Sequence, residues 1–176
     1  MHTRMDMQDQ APMIDTFTLA DAIEIAVSAH AEQKREDDVP YIVHPMTVMA
    51  GVSGEHAQMA AALHDVVEDS PDWTFERLAE VGCPEPVIEA LRLVTHEKPR
   101  REPGELVESH IERVNVDYQA YVEGIAGNPI ARAVKLADLK DNIGDGSPYP
   151  ADAIWKNARL ERYRRAQAFL QEAEDA

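Results

Sequence analysis

Apolar residues recur along this chain at the three-to-four-residue spacing of helices, not at the two-residue spacing of strands. Leu19, Ala22, Ile23, Ala26, Val27 and His30 form a first stripe, with Thr18 placed to cap it and Asp21 at its electropositive end. Residues 33–40 are charged and read as a loop. Pro45 suits a first helical position and leads Met46, Val48, Met49 and Val52, with Gly51 and Gly54 marking the stop. The pattern predicts one helix over 55–69, ended by Ser70-Pro71-Asp72. Thr74 predicts the cap of a short helix over 75–81 that Gly82 closes. A helix over 86–95 carries Val87, Ile88, Leu91 and Val94 on one side. Beyond a charged loop over 96–103, two helices are predicted, over 105–114 and 116–126. Asn128-Pro129 separates them from a helix over 130–143, and a last helix covers 151–173 after a Gly- and Pro-rich turn region. No strand alternation persists beyond a few residues. The expectation is an all-α, multi-helix domain over 16–173, preceded by a mobile tail over 1–15.

Composition narrows the partners. The chain has 176 residues, enough for one domain with a substantial core, and 44% of them are hydrophobic, which is globular rather than disordered. Aromatics are only 6%, so the core must rely on Leu, Ile, Val, Ala and Met. A formal net charge of −16 repels a polyanion, so a nucleic acid polymer is not expected as a partner. A small anionic substrate is compatible with that charge where a metal and a few local cations offset the field. No apolar run approaches the roughly 18 residues of a membrane span. The N-terminus lacks the apolar core of a signal peptide. Cys83 is the one cysteine, which rules out an internal disulfide framework and a cysteine-rich zinc site and fits a cytoplasmic location. Nothing in the pattern specifies an oligomeric state.

The chemistry concentrates in Ala61-Ala62-Leu63-His64-Asp65-Val66-Val67-Glu68-Asp69. On one continuous helix, positions 64, 65, 68 and 69 fall within an arc of about 140°. That face would offer a nitrogen ligand, an oxygen ligand and two proton-transfer groups. Acids among apolar residues are costly unless paired or bound to a metal. Two further places carry isolated polar groups of the same kind. His44 stands at the mouth of the second helix, and Asp138 lies among apolar residues with Asn142 one turn later. His44, His64, Asp65 and Asp138 together make two nitrogens and two oxygens, a suitable set for a divalent transition metal. Their spacing follows no local ligand rule, so only the fold can join them. His30 reads as a packed or hydrogen-bonded histidine. Tyr118 and Tyr121 read as core or pocket wall, and His2, His56, His96 and His110 carry no evident role.

In order and in content these blocks resemble the HD superfamily of metal-dependent phosphohydrolases. The likeness is greatest to the hydrolase domains of RelA/SpoT-type alarmone enzymes and their small single-domain relatives. It rests on Ala29-His30…Gln33-Lys34-Arg35…Pro40-Tyr41-Ile42-Val43-His44-Pro45, on Leu63 to Asp69, and on Val134 to Asn142, and covers about residues 19–143. The resemblance implies a helical HD fold and one metal, usually manganese (Mn2+), held by His44, His64, Asp65 and Asp138. It implies that Glu68 and Asp69 activate or orient the attacking water, that Arg35 lies against the nucleotide base, and that Asn142 helps to hold the nucleotide. The implied reaction removes pyrophosphate from the 3′ position of guanosine tetra- or pentaphosphate, giving GDP or GTP. Lys34, Arg35, Lys135 and Lys140 are the cations available to meet the polyphosphate, although charge patterning alone would leave Lys135 and Lys140 solvated. The chain departs from the family where Arg35 is followed by Glu36, Asp37 and Asp38, and in a longer, more acidic stretch over 97–116. The same residues are compatible with an HD hydrolase of another nucleotide, such as an adenosine alarmone or a nucleoside monophosphate, and with a non-catalytic nucleotide sensor.

Overall fold

A computed structural model describes residues 16–35 and 38–175. The tail expected over 1–15, and Glu36 and Asp37 of the acidic loop, lie outside the described residues. Among the described residues the chain is helical, in the order α1 (Leu19–Ala29), α2 (Val43–Ala50), α3 (Glu55–Leu63), α4 (Val66–Asp69), α5 (Phe75–Glu80), α6 (Glu85–Val94), α7 (Val107–Ile125), α8 (Pro129–Ile143) and α9 (Ile154–Glu174). Strand-like pairing among them is limited to an isolated antiparallel bridge between Lys34 and Pro40, at the base of the loop before α2. No helix among them is long and apolar enough to cross a membrane.

Helix starts follow local chemistry. The Thr18 side chain accepts from the Asp21 backbone N–H while Asp21 reaches back to the Thr18 N–H, a complete capping box. Thr74 caps α5 through the Arg77 N–H, and Asn128 caps α8 through the Ala131 N–H at 2.9 Å, with Pro129 next in the chain.

The core is built around α3. Ala57, Met59, Ala60, Ala61, Ala62 and Leu63 are all buried. So many small side chains let neighbouring backbones come close, and α3 packs against α1, α2, α6 and α8. At the end of α2, a Cβ added to Gly51 would stand 3.2 Å from the Ala137 Cβ, so α2 and α8 also meet at short range. These contacts bring the start of α2, the end of α3 and the middle of α8 to one place.

Several predicted boundaries change: α2 starts at Val43, ahead of Pro45, and α9 starts at Ile154 rather than at 151. The helix expected over 55–69 breaks at His64-Asp65, and α4 is a separate turn. No Gly or Pro causes the break. Asp65 drifts to φ −99° and ψ −6°, at the edge of helical geometry. Conversely, the two helices expected over 105–114 and 116–126 are one, α7, which begins two residues later than predicted. Val114, Asn115 and Val116 have modest helix propensity, but α7 packs along α9, and Arg162 Nη1 donates to Asn115 Oδ1 at 3.1 Å. Tertiary contact outweighs the local preference.

Candidate active site

His44 lies in the first turn of α2, His64 and Asp65 in the break after α3, and Asp138 in the middle of α8. The fold brings all four together. Ligand atoms of His44, His64 and Asp138 lie within 4.8 Å of one another, and all three residues are buried. Asp65 joins them, its Oδ2 3.1 Å from His64 Nε2 and 3.6 Å from His44 Nε2. Asp138 Oδ1 is 3.2 Å from His44 Nε2 and 3.9 Å from His64 Nε2. Atoms bound about 2.1 Å from one ion stand about 3.0–3.4 Å apart at octahedral or tetrahedral angles. Two of the four spacings fall in that range, and the other two, at 3.6 and 3.9 Å, are wider.

Both imidazoles are oriented from behind. His64 Nδ1 donates to the Ala61 carbonyl at 2.8 Å, and His44 Nδ1 donates to Asp141 Oδ2 at 2.7 Å. Each Nε2 is then a lone pair. His64 Nε2 is buried with no hydrogen-bond donor, and it faces the Asp65 carboxylate. Two acceptors at such range repel unless a cation lies between them, so the donor set fits a divalent metal. The same logic governs protons. Burial disfavours charge on His64, but the Asp65 and Asp138 carboxylates outweigh it and raise its pKa to about 9. Burial also opposes charge on His44, yet its hydrogen bonds to Asp138 and Asp141 leave it above the ordinary histidine value. Burial would raise the pKa of Asp65, but His64 holds it far below the carboxylate range. Asp138 is likewise held low against burial, by Lys135 first.

Several residues that hold this cluster were not foreseen from the sequence. Tyr41 Oη donates to Asp65 Oδ2 at 2.6 Å. Asp141 accepts from His44 and lies 3.4 Å from Arg35 Nη1, so it joins Arg35 to the cluster. A signal was available for Asp141, which follows Asp138 by three residues, one turn of α8.

A cavity of about 180 Å3 opens beside the four residues. Tyr41, Glu68, His96, Lys98, Asn142 and Arg159 are among its lining residues. Glu68 accepts from the His96 backbone N–H at 2.8 Å. Asp69, predicted on the same helix face, is instead among the residues of a second cavity, with Ser28, Gln33 and Trp73. Burial, and then the Asp65 charge, raise its pKa. Asn142 lines the first cavity and donates to both the backbone carbonyl and the carboxylate of Asp138. Lys135 is not solvated. Its side chain is 13% exposed, its Nζ is 2.8 Å from Asp138 Oδ2, and it lies over the Tyr118 and Tyr121 rings. Lys34 points away and pairs with Asp38 at 2.7 Å. Arg35 is not among the cavity-lining residues and is half-exposed beside Asp141.

No family model matches the chain. It is 32% identical over 126 residues to the guanosine-3′,5′-bis(diphosphate) 3′-pyrophosphohydrolase of Aquifex aeolicus, a match covering 69% of this chain and 17% of that protein. It therefore spans under a fifth of that relative's length. It is 31% identical over 133 residues to the guanosine-3′,5′-bis(diphosphate) 3′-pyrophosphohydrolase MESH1 of Drosophila melanogaster, covering 71% of this chain and 67% of that one. Among solved structures, a metazoan ortholog of SpoT, described as hydrolysing ppGpp, superposes with a TM-score of 0.59 at 24% identity, over 88% of this chain and 92% of its own. The helical fold is thus the one that ortholog has. With one relative matched over two thirds of both chains, and with the His-Asp cluster at the meeting of three helices, the chain belongs to the RelA/SpoT-type branch of the HD-domain metal-dependent phosphohydrolases.

Proposed function

We propose that this protein removes the 3′-pyrophosphate from guanosine tetra- or pentaphosphate alarmones, releasing GDP or GTP and pyrophosphate. The observation that carries the reading is the pair of imidazoles, each pinned through Nδ1, whose Nε2 atoms meet the Asp65 and Asp138 carboxylates at a cavity wall. The names of its relatives point to the same substrate. His44, His64, Asp65 and Asp138 hold one divalent cation, Mn2+ in this reading. When bound, such an ion polarises a phosphoryl oxygen and acidifies water.

The remaining work belongs to the chain. Water adds to the phosphorus next to the ribose, the bond from that phosphorus to O3′ breaks, and the 3′ oxygen takes a proton. Glu68 faces the cavity and is the group placed to take the proton of the attacking water. Asp69, with its raised pKa, stands one residue on and can relay that proton away from the site. Asn142 steadies Asp138 and presents its amide beside the nucleotide. Lys135 neutralises the outer oxygen of Asp138 and so acts on the substrate through that ligand. Lys98 and Arg159 add positive charge at the wall of a protein whose net charge is −16. Phosphoryl transfer depends chiefly on such positioning and charge neutralisation. The cavity, about 180 Å3, is smaller than the roughly 300–1,000 Å3 of most ligand pockets, so a nucleotide extends beyond it. Arg35 lies outside it, where it can meet the base end, whereas Lys34 is taken up by Asp38.

The protein loaded with Mn2+ is expected to release pyrophosphate from guanosine tetraphosphate, and His64→Ala or Asp65→Ala is expected to abolish that release. Metal-loaded protein that leaves the substrate intact would overturn the substrate assignment. A panel of adenosine alarmones and nucleoside monophosphates, run alongside, identifies the nucleotide in that case.

A further inference from the structure

His96 follows Thr95, the C-cap of α6, in the irregular segment between α6 and α7, and lines the cavity. Its backbone N–H donates to Glu68 Oε1 at 2.8 Å. Two residues later, Lys98 Nζ lies 3.8 Å from the other oxygen of the same carboxylate. Glu68 therefore takes its orientation from a segment that has no helical hydrogen bonds to hold it in place. The His96 ring supplies the missing anchor. Its Nε2 donates to Asp117 Oδ2 on α7 at 2.7 Å, and its plane stacks on Tyr121 with centroids 4.3 Å apart and 23° between planes. The Tyr118 ring meets it edge-on at 5.9 Å. The side chain is 13% exposed. With Nε2–H given to Asp117, Nδ1 is a buried lone pair without a partner, so the ring is held from one edge and one face.

We propose that His96 is a positioning residue for Glu68, with Asp117 and Tyr121 clamping the ring so that the backbone N–H stays on the carboxylate. The inference rests on the catalytic reading of Glu68. α4 is a single turn, and a Glu side chain at its end loses rotamer freedom only if something fixes the carboxylate. The Asp117 clamp fixes it from α7, a 19-residue helix that packs on α6 and α9.

A kinetic cycle tests this. His96→Ala keeps the N–H but loses the anchor, and is expected to lower kcat roughly tenfold to a hundredfold with little change in KM. Asp117→Ala should match it, while Asp117→Asn, which keeps an oxygen acceptor for Nε2–H, should recover most of the rate. In a Glu68→Gln background His96→Ala should do nothing further, because its effect passes through Glu68. An equal loss in that background, or a raised KM with kcat unchanged, would overturn the proposal. A second measurement needs neither metal nor substrate. The His96 amide should exchange its hydrogen roughly tenfold or more faster in Glu68→Ala than in the unaltered chain, and an unchanged rate would also overturn the proposal. If the unaltered enzyme fails to turn over guanosine tetraphosphate, the substrate reading falls while amide exchange still decides the role of His96.

Discussion

Asp141 shows how much of the site is decided one residue behind the ligands. Its carboxylate receives the His44 Nδ1 proton, which fixes the tautomer and leaves Nε2 free to bind a cation. It also holds Arg35, which pairs with no other carboxylate among the contacts described. Asp141→Asn keeps the shape but weakens the hold on the Nδ1 proton, and such outer partners are typically worth roughly tenfold to a hundredfold in metal affinity. Manganese titration of Asp141→Asn is expected to show a loss in that range, and an affinity equal to that of the unaltered protein would remove Asp141 from the site. Lys135 teaches a similar lesson. Charge patterning left it solvated, yet it is buried because Asp138 gives it an opposite charge and two tyrosine rings cover it. Its pKa is raised well above normal because Asp138 outweighs the burial that opposes its charge.

At the scale of elements, caps and stripes were legible where local chemistry decides. Thr18 and Thr74 cap the helices they were placed to cap, and Asn128, read only as a separator with Pro129, caps α8. The break at His64-Asp65 was not legible, because both residues keep negative φ and near-helical ψ and neither is a helix breaker. Beyond it, on α4, the adjacent Glu68 and Asp69 face different ways, Glu68 to the cavity and Asp69 to the loop before α2. The single α7 was obscured by Val and Asn at its centre, which α9 supports from the side. α8 carries Asp138, and its stability can be divided by position. Leu139 is fully buried, so Leu139→Ala should cost about 2–5 kcal/mol, whereas loss of the Asn128 cap in Asn128→Ala should cost about 1 kcal/mol. Urea unfolding of the two variants checks the ranking, and equal losses would mean that the Leu139 site collapses on substitution.

For the whole molecule, charge is the dominant global property. A net charge of −16 on 176 residues repels itself in the compact state. Screening acts over about 30 Å at 0.01 M salt and about 10 Å at 0.1 M. The melting temperature is therefore expected to rise between those salt concentrations, and thermal scans that show no rise would mean that local pairs already absorb the repulsion. The same field leaves the cavity dependent on local cations, and Lys98 and Arg159 are brought there from the segment after α6 and from α9.

The sequence by itself determined the helical class, most helix starts and the identity of the polar groups that no apolar helix would carry without cause. It could do so because capping, periodicity and the cost of buried charge are local properties, and because three motif blocks stand in a recognisable order. Tertiary structure alone decided that residues 44, 64, 65 and 138 meet, that Tyr41 and Asp141 hold them, and that Glu68 rather than Asp69 lines the cavity. Those outcomes depend on how closely α2 and α8 can approach the small residues of α3, and no spacing along the chain records that distance.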